Sequence, residues 1–354
     1  MRSSASLRGA LFGLGAATLF GLSAPLAKPL LAAAGPLMLA GLLYLGGGLG
    51  LTLFRLLRWG LREEGPREAA LGARDMGLMA AIIVLGGGLG PFLMLLGLGR
   101  LTAVSASLLL NLEGVFTILL AVLFFGEHLG TRETVSASAI VAGAVLLSAG
   151  PGRLSDDILG VLALAGACLA WAVDNNLTQR VSLKDPVRVV QVKALGAATS
   201  ALLLARMTGQ DLPPGPTVWK ALLLGAASYG ASIVLDTYAL RLLGAAREAA
   251  FFATAPFIGA LAAVPLLGDR LGSMQLAAGG LMATGVMLLL SERHGHLHTH
   301  EALEHEHLHV HDVHHQHAHA PWVDVREPHS HLHQHLLLVH DHPHVPDAHH
   351  RHQH

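Results

Sequence analysis

The chain has 354 residues, of which 52% are hydrophobic and only 13% are charged, and its formal net charge is −1. Soluble domains carry about 25% charged residues. This deficit excludes an ordinary soluble domain and indicates a membrane protein with several spans. The near-zero net charge implies no nucleic-acid partner, and a single cysteine, Cys168, excludes an intramolecular disulfide framework and a cysteine-based zinc site.

Apolar segments of about the length that crosses a bilayer follow one another along most of the chain. Proline, glycine and charged residues fill the breaks between them. The pattern predicts about ten spans, at residues 9–31, 36–57, 75–98, 102–126, 132–149, 157–178, 188–207, 218–240, 246–267 and 273–291.

The second half of the chain repeats features of the first. A shift of 142 positions aligns Gly126-Glu127 with Gly268-Asp269, and the Leu-Gly pair that follows matches as well. Each copy would hold about five spans, and an odd number inverts the second copy relative to the first. Inverted repeats are typical of secondary transporters, which bind substrate near the midplane. We therefore predict an all-α membrane protein of two inverted five-helix repeats, at residues 1–150 and 151–292.

Lysine and arginine in the short loops predict the orientation of the chain in the plasma membrane. More of them fall in the loops on the side of the N-terminus, including Arg58, Arg62 and Arg67, than on the opposite side. We therefore expect both termini in the cytoplasm.

A small set of polar side chains falls inside the predicted spans. The most prominent is Glu113, near the middle of the fourth span. A charge at the bilayer centre costs at least about 2.5 kcal/mol to insert, and such residues commonly bind substrate or relay protons. We assign substrate binding or coupling to Glu113 and to Lys28, Asn111, Asp174, Asn175, Asn176, Lys193 and Asp236.

Alternatives remain open for several of these residues. Glu113 is also compatible with a structural ion or hydrogen-bond partner or with accommodation at the lipid interface, and Asp174 and Asp236 lie near enough to the inner interface to be solvated. Lys193 lies at a depth where it could neutralise either aspartate, as buried charge requires.

The composition changes abruptly after Ser291. Residues 293–354 are polar and histidine-rich, which predicts a disordered cytoplasmic tail. Histidines alternate with other residues, so in an extended chain they share one side. Neutral imidazole suits nickel, cobalt, zinc and copper, and we expect several weak, interchangeable sites, with oxygen ligands added by Glu304, Glu306 and Asp312. The predicted metal ligands are His294, His296, His298, His300, His305, His307, His309, His311, His329, His331, His333 and His335.

Four sequence features together resemble the EamA family of the drug/metabolite transporter superfamily, over the whole segment before the tail. They are the Phe20–Lys28 string, Trp171, the two Gly-acid-x-Leu strings and the small-residue final span of each half. The resemblance implies ten spans in two inverted repeats and, in many members, efflux of metabolites, amino acids or drugs. The chain departs at Glu113-Gly114, where the second half keeps the family's proline as Ala255-Pro256, and in its histidine tail.

The leading functional hypothesis is a secondary transporter that exports a small amino-acid-like or drug-like metabolite. No phosphate-binding loop is visible, so an ion or substrate gradient would supply the energy, and no cofactor is required. One alternative is an exporter of divalent nickel, cobalt, zinc or copper, although the spans carry almost no histidine. Another is a membrane metal-storage or sensor protein without transport. An enzyme is disfavoured because no paired-aspartate or HExxH arrangement lies in a span.

Overall fold

The computed structural model describes most of the chain, with gaps. The described residues are 3–60, 71–125, 131–149, 157–178, 181, 184–243, 251–290, 294–300, 304–309, 329–334 and 338–344. The first Gly-acid string, Gly126-Glu127, lies outside them.

Apolar helices make up the first half of the chain. Two short 3₁₀ turns, Lys28–Ala32 and Ala73–Asp75, interrupt the series of helices. A π-helical segment, Ile83–Leu89, continues directly into the helix that begins at Gly90. The helices are α1 (Ser3–Gly21), α2 (Ser23–Ala27), α3 (Pro36–Gly60), α4 (Met76–Ile82), α5 (Gly90–Arg100), α6 (Ala103–Leu109), α7 (Leu112–Phe125) and α8 (Thr131–Ala149).

The second half has the same kind of architecture. A π-helical segment, Ala226–Ala231, again lies inside a long helix. The helices are α9 (Ile158–Thr178), α10 (Pro186–Met207), α11 (Gly215–Gly225), α12 (Ser232–Leu243), α13 (Ala255–Leu267) and α14 (Ser273–Leu290).

Seven helical segments of the described chain are long and apolar enough to cross a membrane. They are Leu7–Ala32, Pro36–Arg58, Ala73–Arg100, Ala103–Leu120, Ile158–Thr178, Val187–Met207 and Gly215–Ala239. Three shorter apolar helices, Thr134–Leu147, Ala255–Leu267 and Ser273–Leu288, lie where the other three predicted spans were expected. Length and composition thus support seven of the ten predicted spans.

Irregular backbone occurs at matching positions in the two halves. Shifted by 142 positions, the first π-segment falls on residues 225–231, which nearly coincide with the second π-segment. The fourth span is interrupted by a turn at Leu110-Asn111, and a turn at Ala253-Thr254 lies at the corresponding place to within one residue. The halves therefore share their interruptions as well as their apolar pattern.

The most extensive helix contacts join the first half to the second. Helix α3 packs against α10 and the second π-segment, and α10 in turn packs against the first π-segment. Likewise α1 packs against α12, α5 against α9, and α8 against α14. Fully buried side chains such as Leu39, Leu43 and Leu95 belong to this interface. The main core therefore lies between the halves.

Two glycines allow the closest of these approaches. A Cβ atom on Gly46 of α3 would lie 2.1 Å from the Leu222 carbonyl oxygen. A Cβ atom on Gly225 would lie 1.9 Å from the Leu43 carbonyl oxygen. Small residues let membrane helices pack backbone to backbone, and here they bring α3 against α11.

The second Gly-acid string has a structural role. Gly268 ends α13 in the left-handed conformation, with φ of 70°, which glycine adopts without steric cost. The carboxylate of Asp269 accepts a hydrogen bond of 3.1 Å from the Val104 backbone N–H, at the start of α6. An acidic group is favourable at a helix N-terminus, so this string links the two halves at one end of the bundle.

The described residues of the tail form four strands, β1 (His294–His300), β2 (Glu304–His309), β3 (His329–Gln334) and β4 (Leu338–His344). Strand β1 pairs antiparallel with β4, and β2 with β3, as two separate two-stranded sheets. The prediction of disorder is therefore not confirmed for these four segments. Histidine alternates with residues such as Leu297, Leu308 and Val339, and this period of two favours extended strands that pair.

Candidate functional site

Glu113 lies in the first turn of α7, directly after the interruption of the fourth span. Its Oε1 atom accepts a hydrogen bond of 2.7 Å from Asn175 Nδ2, on α9 of the second half. Glu113 is half-buried and Asn175 is exposed, so the pair forms an accessible edge of the interface between halves. The Asn111 amide donates to the Leu108 carbonyl oxygen at 2.8 Å, which stabilises the interruption itself.

Next to Asn175 along α9, Asp174 forms an ion pair with Lys193 of α10. The Asp174 side chain is 4% exposed and that of Lys193 is 19% exposed, so both charges are largely removed from solvent. Thr178 also donates to Asp174, at 3.4 Å. The cluster thus combines two carboxyl groups, one ammonium group and one amide.

The first π-segment fixes the position of this cluster. The Gly86 carbonyl oxygen accepts two hydrogen bonds of 3.1 Å, from Tyr44 Oη and from Trp171 Nε1. A Cβ atom on Gly86 would lie 2.1 Å from Asp174 Cγ. Glycine at this position therefore allows the π-segment to lie directly against the Asp174 carboxylate, and π-helical turns often occur at functional sites.

Buried aromatic rings continue from the cluster toward the second π-segment. The ring centroids of Tyr44 and Tyr229 are 5.0 Å apart, and those of Phe20 and Tyr229 are 6.0 Å apart. Trp171 and Tyr229 are both buried. Both rings are therefore packed in the protein interior.

Lys28 lies away from this cluster. Its ammonium group donates to the carbonyl oxygens of Leu98, at 2.9 Å, and of Leu101, at the C-terminal end of α5, where a cation is favourable. Leu101 precedes α6 and Glu113 lies in the first turn of α7, so the whole of α6 separates the two residues along the chain. Lys28 and Arg100 line a cavity of ≈ 560 Å³ at this end of the bundle.

The remaining predicted residues are dispersed. The Asn176 amide donates to the Ala172 carbonyl oxygen of its own helix at 2.8 Å. Asp236 is half-buried on α12, which packs against α1. The structure thus joins Glu113, Asn175, Asp174 and Lys193, and it adds Tyr44 and Gly86, which sequence reasoning did not select as site residues. The sequence signal for Gly86 is its place in the Gly86-Gly87-Gly88 string, a pattern typical of close helix packing in membranes.

Metal ligands do not assemble in the described helices. Among the side chains that the structure describes, no three His, Cys, Asp or Glu residues could hold a metal ion together. Most of the tail histidines predicted as ligands lie in the four strands, whereas His311 and His335 lie outside the described residues.

Removal of one partner of the Asp174–Lys193 pair is expected to destabilise the protein by about 3–5 kcal/mol, because an unpaired buried charge remains. The variants Asp174→Asn and Lys193→Gln should therefore both melt at markedly lower temperature in detergent. Arg206 and Asp211 form a matched exposed pair, with side chains 65% and 98% exposed. Asp211→Asn should change stability by less than about 1 kcal/mol. Equal melting temperatures for all three variants would contradict the structural role of the buried pair.

Long apolar helices and charges buried between two halves define a multi-pass membrane protein. The sequence profile of the EamA-like transporter family matches residues 7–149 and matches again at residues 158–291. The chain therefore belongs to the EamA-like transporter family, whose members are transporters rather than enzymes.

Several transporters are similar to this chain. An "Uncharacterized transporter" of Methanothermobacter thermautotrophicus is 32% identical over 286 residues, which are 76% of this chain and 82% of that protein. The "Uncharacterized inner membrane transporter YedA" of Escherichia coli K12 is 24% identical, over 72% of this chain and 81% of that protein. A "Probable terminal-alkyne amino-acid exporter" of Streptantibioticus cattleyicolor is 26% identical, over 61% of this chain and 74% of that protein.

The fold also has a solved counterpart. One crystal structure matches with a TM-score of 0.58 at 21% sequence identity, and the match covers 81% of this chain and 98% of that chain. At this identity the similarity concerns the fold alone.

Proposed function

We propose that this protein is a secondary transporter that exports a small amino-acid-like metabolite, driven by an ion gradient. The observation that carries the proposal is the polar cluster between the halves, where Glu113 bonds Asn175 beside the Asp174–Lys193 ion pair. Polar and ionisable groups inside membrane-spanning helices are costly and mark substrate or ion pathways.

The chemistry of the cluster suits a zwitterion. The carboxyl groups of Glu113 and Asp174 would accept hydrogen bonds from a substrate ammonium group, and Lys193 would attract a substrate carboxylate. A substrate able to compete for Asp174 and Lys193 would open the ion pair as it binds. The similar exporter from Streptantibioticus cattleyicolor, whose name specifies an amino acid, supports this substrate class.

The proposed mechanism needs two oppositely oriented halves. Three observations support inverted repeats at residues 1–150 and 151–292. The π-segments lie at matching positions, the span interruptions also match, and α3 and α10 each pack against the π-segment of the other half. In that arrangement the two halves rock around a fixed central site. Both termini would lie in the cytoplasm, as the loop charges predict.

The proposal is tested by comparing metabolites exported by strains that lack or overproduce the protein. We expect small zwitterionic metabolites to accumulate outside overproducing cells, and the strongest candidate then to exchange across proteoliposomes containing the purified chain. Asn175→Ala should raise the KM of that exchange, since it removes the partner of Glu113, while Asp211→Asn on the exposed pair should leave it unchanged. Exported compounds that are exclusively uncharged, or no flux in vesicles, would contradict the proposal.

A further inference from the structure

The tail strands pair histidine with histidine. The β2–β3 ladder places His305 opposite His333, His307 opposite His331 and His309 opposite His329. In the β1–β4 ladder the opposite pairs are His294 and His344, His296 and His342, and His298 and His340. Twelve of the thirteen histidines in the strands are therefore opposite another histidine, and His300 is the exception, opposite Leu338.

The register of the ladders decides this arrangement. Side-chain positions alternate between the two faces of a strand, so a slip of one residue moves every side chain of that strand to the other face. In the observed register, the β2–β3 ladder gathers six histidine positions on one face and the β1–β4 ladder gathers seven, including His300. Directly opposite positions have Cβ atoms about 4.5–5.5 Å apart. Glu304 and Glu306 occupy the alternate positions of β2, opposite Gln334 and Leu332, and thus belong to the other face.

We propose that each ladder is a binding site for one late first-row divalent ion, with Zn²⁺ or Ni²⁺ as the probe. Two neighbouring histidine pairs supply four imidazole ligands, a number that Zn²⁺ takes in tetrahedral sites. In the β2–β3 ladder the four ligands are His305, His307, His331 and His333. In the β1–β4 ladder the equivalent four are His296, His298, His340 and His342.

This proposal is independent of the transport function. It also replaces the several weak, interchangeable tail sites with two defined sites, from which Glu304 and Glu306 are excluded. Because metal ions bind neutral imidazole, both sites require deprotonated histidines and release their ions as the pH falls.

The test moves histidines from one face of a strand to the other without changing the composition of that strand. In the full chain, purified in detergent, the four substitutions His305→Glu, Glu306→His, His307→Leu and Leu308→His move two histidines to the other face of β2. Zn²⁺ binding is measured by equilibrium dialysis against a competing chromophoric chelator. The unmodified chain should bind two ions tightly, and in the shifted chain one of them should bind roughly tenfold or more weakly.

A matched control removes four histidines whose sequence positions fall after β2 and before β3, by His314→Ala, His315→Ala, His317→Ala and His319→Ala. Both tight ions should remain in this control, although it holds fewer histidines than the shifted chain. The proposal would be overturned if the chain with the four β2 substitutions still bound two Zn²⁺ ions tightly. It would also be overturned if the unmodified chain bound no Zn²⁺ ion tightly, or if the control lost one of the two tightly bound ions. An unchanged melting temperature of the helical part confirms that each variant is folded.

Discussion

Glu113→Gln is expected to reduce transport driven by a pH gradient to background in proteoliposomes, while the protein still folds and inserts. Glutamine has nearly the same size, and its amide oxygen still accepts the hydrogen bond that Asn175 donates to Glu113. It cannot, however, take up and release a proton. Exchange of substrate without a gradient should therefore continue, because only the coupling step is removed.

The control for this prediction is Glu113→Asp, which keeps a titratable carboxyl group at a slightly different position and should retain part of the coupled transport. Melting temperature and vesicle incorporation are measured for both variants. Undiminished pH-driven transport by Glu113→Gln would exclude Glu113 as the proton carrier. Loss of substrate exchange together with coupling would instead indicate that Glu113 binds the substrate itself.

Gly46→Ala and Gly225→Ala are expected to destabilise the folded protein by about 3 kcal/mol or more, at the high end for overpacking. The new methyl groups would meet the carbonyl oxygens of Leu222 and Leu43 at 2.1 and 1.9 Å. These are backbone atoms, which cannot rotate aside as a flexible side chain could. Helices α3 and α11 would have to separate, and a close-packed interface cannot absorb that shift locally.

Thermal melting in detergent and size-exclusion chromatography measure this effect. Gly280→Ala on α14 is the matched control, because a Cβ atom there would meet nothing within 4 Å. In the control, alanine should be neutral or slightly stabilising, since it favours helix more than glycine does. If Gly46→Ala melts at the same temperature as Gly280→Ala, the backbone approach between the halves is not required for stability.

The sequence was sufficient to predict the class of fold and part of the site. Long apolar stretches need no tertiary information to indicate helices in a membrane, and the mid-span position of Glu113 indicated a role at first inspection. Asp174 and Lys193 were expected at similar depth, and the structure pairs them. Depth along a helix can be read from the sequence because each residue advances the chain by a fixed rise.

The features that the sequence did not predict depend on the direction in which a side chain points from its helix and on tertiary packing. Lys28 was grouped with Glu113 although it caps the carbonyl end of α5, because sequence position gives no distance between helices. The role of Gly86 arises from a π-helical turn, which lets its carbonyl oxygen accept two hydrogen bonds from other helices. Low apolar content in the tail predicted disorder, whereas the alternation of its histidines was the more informative pattern.

The approach of Gly46 to Leu222 has a consequence for biosynthesis. The two residues are 176 positions apart, and at a translation rate of about 5–20 residues per second the later one emerges roughly 10–35 s after the earlier one. During that interval the glycine face of α3 has only lipid, the insertion machinery or a chaperone beside it. Helix insertion and helix assembly are thus separate stages for this chain, and the first half remains unassembled in the bilayer until the second half has been synthesised.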